Sequence, residues 1–206
     1  SNGRGRFNKD QLVGMKRGYI ADWKISEETF VGVHSDQQWW QHYYSNGVTI
    51  SGIFDIEFKL PPVPSGTYEI RLGYTVNPER GVVQAYLNNK PCGIPVDLRM
   101  YGTDPTIGWV EDTEDEEENI ANDKAMHNRG YMKGMDCYRQ WDSDHTLRAN
   151  TNNLRRILVT QYLDSEETYK LRFRQVLDDP ECYLSFDFIE LCPKSVYGSP
   201  EGEDIY

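Results

Sequence analysis

Several things are missing from this sequence, and each absence removes a class of function. No run of about 18 apolar residues occurs, so no helix of this chain is written to cross a bilayer. Basic residues are outnumbered 22 to 33, giving a net charge of −11 at pH 7. A chain with that balance lacks the cationic face that nucleic acid or an anionic membrane requires, and neither is expected as a partner. There is no GxSxG, P-loop, GxGxxG or HExxH match, and no CxxC or CxxxH spacing that would suit zinc. The four histidines, His34, His42, His127 and His145, are scattered. His34 near Asp36, and His145 near Asp142 and Asp144, read as surface hydrogen-bonding pairs rather than acid–base machinery, since no nucleophile accompanies them. The expectation is a non-enzyme.

What is present is aromatic: 13% of the 206 residues, with 14 Tyr and 5 Trp, which argues for a packed core over disorder. Phe54 to Leu60 alternates apolar and charged residues without a break, the period of a strand with one buried and one wet face. Pro61-Pro62-Val63-Pro64-Ser65-Gly66 cannot extend a ladder and forms a turn. Tyr68, Ile70, Leu72 and Tyr74 then repeat the pattern around Glu69, Arg71 and Gly73. Further strands are expected at Val82 to Leu87, Leu154 to Leu163, Tyr169 to Leu177 and Tyr183 to Leu191, with Asn88-Asn89 as a tight turn. No strand–helix–strand rhythm appears, so the fold class is all-β, an antiparallel β-sandwich. One segment departs from it. Glu111 to Glu118 carries seven acids in eight residues and leads into a helical pattern reaching Met126, with Thr113 and Glu116 spaced as a capping box and Gly130 as the stop. This acidic run is read as the solvated start of a helical insertion over about 111–130, not as a calcium loop.

Residues 1–20 are expected to be a scar and linker, 21–197 a single sandwich domain and 198–206 a tail. Ser1-Asn2 has the look of a proteolytic remnant, and the whole reads as a domain excised from a longer protein. Cys182 and Cys192 flank one strand. Ten extended residues separate them by roughly 33 Å, too far to bridge. The four cysteines are expected as free, partly buried thiols.

Binding chemistry is sought where aromatic residues fall outside strand alternation. Asp36-Gln37-Gln38-Trp39-Trp40-Gln41-His42-Tyr43-Tyr44 is polar and aromatic together, and Trp109 follows Gly108 in a Gly/Pro-rich loop. Tyr131 and Trp141 lie between the insertion and the later strands. Flat apolar rings beside planar polar groups suit a sugar, whose C–H face stacks while its hydroxyls pair. The candidate ligand-binding residues are Trp39, Trp40, Tyr43 and Trp109 for stacking, with Asp36, Gln37, Gln38, Arg129 and Asp142 for hydrogen bonding. The competing reading makes the rings caps on the open ends of the sandwich, although Trp39 and Trp40 cannot both face inward from one strand.

Gly66-Thr67-Tyr68-Glu69-Ile70-Arg71-Leu72-Gly73-Tyr74 followed by Val82 to Lys90 resembles the strand pattern of galactose-binding-like β-sandwich (jelly-roll) domains, many of them carbohydrate-binding modules; Tyr183 to Leu191 echoes their closing strand. Arg4 to Asp10, Asp123 to Lys133 and Cys192 to Tyr197 resemble, more narrowly, the C-terminal domain of Bacteroidetes cell-surface lipoproteins that carry fasciclin-like domains. That resemblance implies an extracytoplasmic domain tethered through its parent's outer-membrane anchor, without inserting directly into the membrane. Its partners would be a glycan or polysaccharide, or a neighbouring domain of the same parent in a structural or adhesive role. No cofactor is expected. A structural calcium is left open, since Asp187 stands where some modules of this fold hold one, but Glu27 and Glu28 make an unconvincing ligand set. A glycosidase would need two carboxylates about 5–9.5 Å apart across a groove.

Overall fold

The computed structural model describes residues 20–25, 30–34, 47–51, 53–136, 138–139 and 142–197 of the chain. In chain order the strands are β1 (Ile20–Ile25), β2 (Phe30–His34), β3 (Gly47–Ser51), β4 (Phe54–Lys59), β5 (Gly66–Thr75), β6 (Val82–Leu87), β7 (Lys90–Pro91) and β8 (Val96–Asp97). Helix α1 (Glu116–Asn128) follows, then β9 (Tyr131–Lys133), β10 (Tyr138–Arg139), β11 (Asp142–Thr146), β12 (Asn153–Leu163), β13 (Lys170–Gln175), β14 (Tyr183–Pro193) and the short α2 (Lys194–Tyr197). One sheet runs β1-β4-β13-β6-β7, with β8 also on β6; the other runs β2-β3-β14-β5-β12-β9; β10 and β11 make a separate ribbon. The strands of both sheets pair antiparallel, and the protein is an all-β, two-sheet antiparallel sandwich.

Alternation makes the sandwich. Phe54, Ile56 and Phe58 of β4, and Leu171 and Phe173 of β13, point inward from the first sheet. Ile70, Leu72 and Tyr74 of β5 and Leu184 and Phe186 of β14 answer from the second. The layers meet in a ring cluster: Phe58 lies edge-on to Phe186 at 5.9 Å, and Phe173 is also 5.9 Å from Phe186. Each such ring contributes about 1.5–3 kcal/mol by leaving water. The proline run ends β4, whose ladder closes with Leu60 N–H donating to the Tyr169 carbonyl at 2.9 Å. Asn88 and Asn89 adopt φ of 46° and 65°, the left-handed turn anticipated for that pair.

Two expectations are corrected. The helix is not capped by Thr113. Asp115 is the N-cap, its carboxylate accepting from Glu117 N–H at 3.0 Å and Glu118 N–H at 3.1 Å. Thr113 instead receives the Asp115 N–H on its hydroxyl and exchanges hydrogen bonds with the Asn119 side chain. Nor is the far face of β5 wet. Glu69 and Arg71 are buried, because α2 lies against β5, His127 reaches across from α1, and the Phe188 ring covers Gly73. Gly130 does end the helix, at φ 83°. Cys92, Cys182 and Cys192 are free and buried.

Candidate functional site

Residues 101–109 form a compact loop whose backbone closes on itself. The N–H groups of Ile107 and Gly108 donate to the Asp104 carbonyl, that of Trp109 to Gly102, and that of Gly102 onward to Thr151. The Asp104 carboxylate accepts from the Thr106 N–H at 2.9 Å and the Thr106 hydroxyl at 2.6 Å. Ile107 is driven fully into the core, and Gly108, at φ 78°, then turns the chain outward. Tyr101 and Val110, which flank the hydrogen-bonded Gly102 and Trp109 in sequence, are both exposed, by 45% and 43%.

Trp109 is half-buried, packed against the core. Its indole nitrogen has no acceptor among the described residues. The Lys133 ammonium lies 5.5 Å from the ring centroid, a cation–π contact. Arg129 belongs to the same neighbourhood: a side chain at Gly108 would meet its guanidinium at 3.1 Å. One nitrogen of that guanidinium donates to the Ala125 carbonyl at 2.8 Å, so Arg129 serves the end of α1 as well as facing the loop.

Beneath Trp109 lies an ion cluster. Lys133 pairs with Asp112 at 2.6 Å and Asp123 at 3.1 Å; Arg148 pairs with both at 2.5 Å. The side chains of Lys133, Arg148 and Asp123 are 1%, 7% and 3% exposed, and that of Asp112 33%. Burial pushes the Asp112 carboxyl up, but hydrogen bonds from Arg148 and Lys133, with their charges, outweigh it and hold it below the usual carboxylate range. The Arg148 guanidinium is opposed by burial and raised by the same two carboxylates. A second network runs across the far face of β5: His127 to Glu69 at 3.0 Å, Glu69 to Arg71 at 2.5 Å, and Arg71 and Arg155 to Glu190 at 3.5 and 3.6 Å. A carboxyl kept ionised in this way is a poor proton donor near neutral pH, so Asp112 acts here as an anchor for cations. Among the described residues no three of His, Cys, Asp and Glu are grouped to hold a metal ion.

Of the residues singled out from the sequence, the structure brings Trp109 and Arg129 together. Asp36, Gln37, Gln38, Trp39, Trp40 and Tyr43 lie outside the described residues, as do Glu27, Glu28 and Trp141. Asp142 opens β11, in register with Arg139, and its side chain is likewise outside the description, as is that of Asp187 on β14. Tyr131 is buried in the core with the Arg156 guanidinium 4.5 Å over its ring, and so takes no part in a rim. Sequence reasoning missed Tyr101, Val110, Lys133 and Arg148. The signal for the first two was their position flanking a Gly-bounded loop; Lys133 and Arg148 carried none, being 21 and 36 positions from Asp112.

No protein-family model and no curated protein matches the chain. Among solved structures, a xanthan lyase of Paenibacillus superposes with a TM-score of 0.44 and 12% identity. The match covers 85% of this chain and 13% of that one, so this chain corresponds to a small part of the lyase. A likeness at that level decides nothing about what this protein does.

Proposed function

We propose that the protein is a non-catalytic binding module for carbohydrate, with its described contact surface at the 101–112 rim. The observation carrying this reading is the half-buried Trp109, held up by a glycine turn on the same rim as the exposed Tyr101 and Val110. A fixed indole with apolar neighbours supplies the flat surface on which a sugar ring stacks, and Arg129 and the third-exposed Asp112 supply the polar margin. The non-catalytic part is supported by the chemistry of that margin: Asp112 is tied to two cations and ionised, where a glycosidase acid must hold a proton. The strand pattern from Gly66 to Lys90 that resembles galactose-binding-like domains supports the same ligand class, and with it a place on the outside of the cell.

A glycan array probed with the whole chain tests the reading. Binding to at least one soluble polysaccharide should fall about tenfold, roughly 1.4 kcal/mol, in Trp109→Ala and by less in Tyr101→Ala. Silence across neutral and acidic glycans would overturn it. A second reading, a surface for a neighbouring protein domain, is favoured by the exposure of both Tyr101 and Val110, and would show as domain–domain binding sensitive to Val110→Asp but indifferent to sugars.

A further inference from the structure

Helix α1 is poorly equipped to stay on the sandwich by hydrophobic contact. Of its thirteen residues only Asp123 and Met126 are buried, and a helix of this length has little stability of its own in water. What ties it down is charge. Asp112, on the strand of chain leading into α1, and Asp123, on its second turn, both belong to the insertion. Lys133 on β9 and Arg148 on the turn before β12 both belong to the sandwich edge. Each carboxylate touches both cations, so all four insertion-to-scaffold pairs are made. Further along, His127 at the end of α1 meets Glu69 of β5, another ionisable contact between helix and sheet. The ammonium that completes the cluster also occupies one face of the Trp109 ring.

We propose that Asp112, Asp123, Lys133 and Arg148 form an ionic latch holding the insertion against the β9–β12 edge, and that opening it frees the insertion and uncovers the Trp109 ring beside it, while the sandwich stays folded. Two features make the latch separable from the core. The insertion leaves the scaffold at the loop before Asp112 and returns at Gly130, a left-handed glycine that can act as a hinge point. Its one apolar plug on the helix is Met126, against the many rings and branched side chains that join the two sheets. The inference does not depend on which ligand Trp109 meets.

Hydrogen exchange on the full chain tests it. In Asp112→Asn/Asp123→Asn, amides of 116–128 should exchange at least tenfold faster than in the parent, with those of β4, β5 and β13 unchanged. Acrylamide quenching of the fluorescence that is lost in Trp109→Phe should increase in parallel. The single variant Asp112→Asn, at the partly exposed corner, should give a smaller change in the same direction. Unchanged exchange over 116–128 in both variants overturns the latch. So does loss of protection in α1 and the core strands together in the single variant, since the cluster would then be part of the global fold.

Discussion

The two sheets share an inward apolar face but differ on the other side. On the first, Arg172 forks onto Asp55 and lies 4.9 Å over the Tyr86 ring, with both members of the ion pair 23% exposed. On the second, Arg71 is fully buried, with Glu69 and Glu190 as its carboxylate partners. The sequences of β4, β5 and β13 look alike, each alternating apolar and charged residues. What differs is what lies above them. Nothing in an alternating strand says whether its charged row will meet water or a helix, and the consequence for energetics is large. A partly exposed pair is cheaper to break because water reaches the charge left behind; a buried pair is costly to break because the carboxylate left behind is shielded from water.

The comparison can be broken first at the two arginines. Arg71→Ala should destabilise by about 3–5 kcal/mol, leaving Glu69 and Glu190 without their shared cation, whereas Arg172→Ala should cost about 1 kcal/mol or less; urea midpoints of both variants measure the contrast. Equal effects would mean the two faces are equivalent. Next comes Gly73→Ala. An added methyl would fall 2.4 Å from the Phe188 ring, and overpacking of this kind costs about 1–3 kcal/mol. The double variant with Phe188→Ala should recover part of that loss, read as non-additive melting temperatures.

A smaller effect should appear in the pH dependence. Burial raises the Glu69 carboxyl, but hydrogen bonds from His127 and Arg71 win and hold it below its ordinary value. A carboxyl depressed in the folded state contributes stability that is fully present above the unfolded pKa, about 4.3, and disappears as pH falls through the folded one. Stability should therefore decline on acidification below about pH 5, and Glu69→Gln should flatten that decline, measured as urea midpoints from pH 7 to pH 3. The smallest effect is expected at the Arg99–Asp97 pair on the surface, where Arg99→Ala should shift stability by less than about 1 kcal/mol.

How much of this was readable beforehand depended on the distance over which each feature is determined. β4 and β13 were legible because their faces are set by the nearest neighbours in sequence, and the Asn88-Asn89 turn because positive φ is a local property. The helix stop at Gly130 was legible for the same reason. Its start was misplaced by two residues: Thr113 with Glu116 and Asp115 with Glu118 are both cap-like spacings, and the Asn119 side chain, by engaging Thr113, leaves the cap to Asp115. Two-residue strands such as β7 and β8 carry too few positions for a period. At the rim, Gly108 announced Trp109, but Lys133 and Arg148 find their partners only through the fold.

The central strand of the second sheet carries a consequence of its own. Most β-strands tolerate change at every other position, giving a ripple in any systematic substitution survey. β5 has Ile70, Leu72 and Tyr74 sealed on one side and Glu69, Arg71 and a ring-capped Gly73 sealed on the other. Its tolerance profile should be flat and low from Tyr68 to Thr75. A strand with no permissive side leaves evolution no place to drift, and this stretch should diverge more slowly than the alternately exposed β6 and β13.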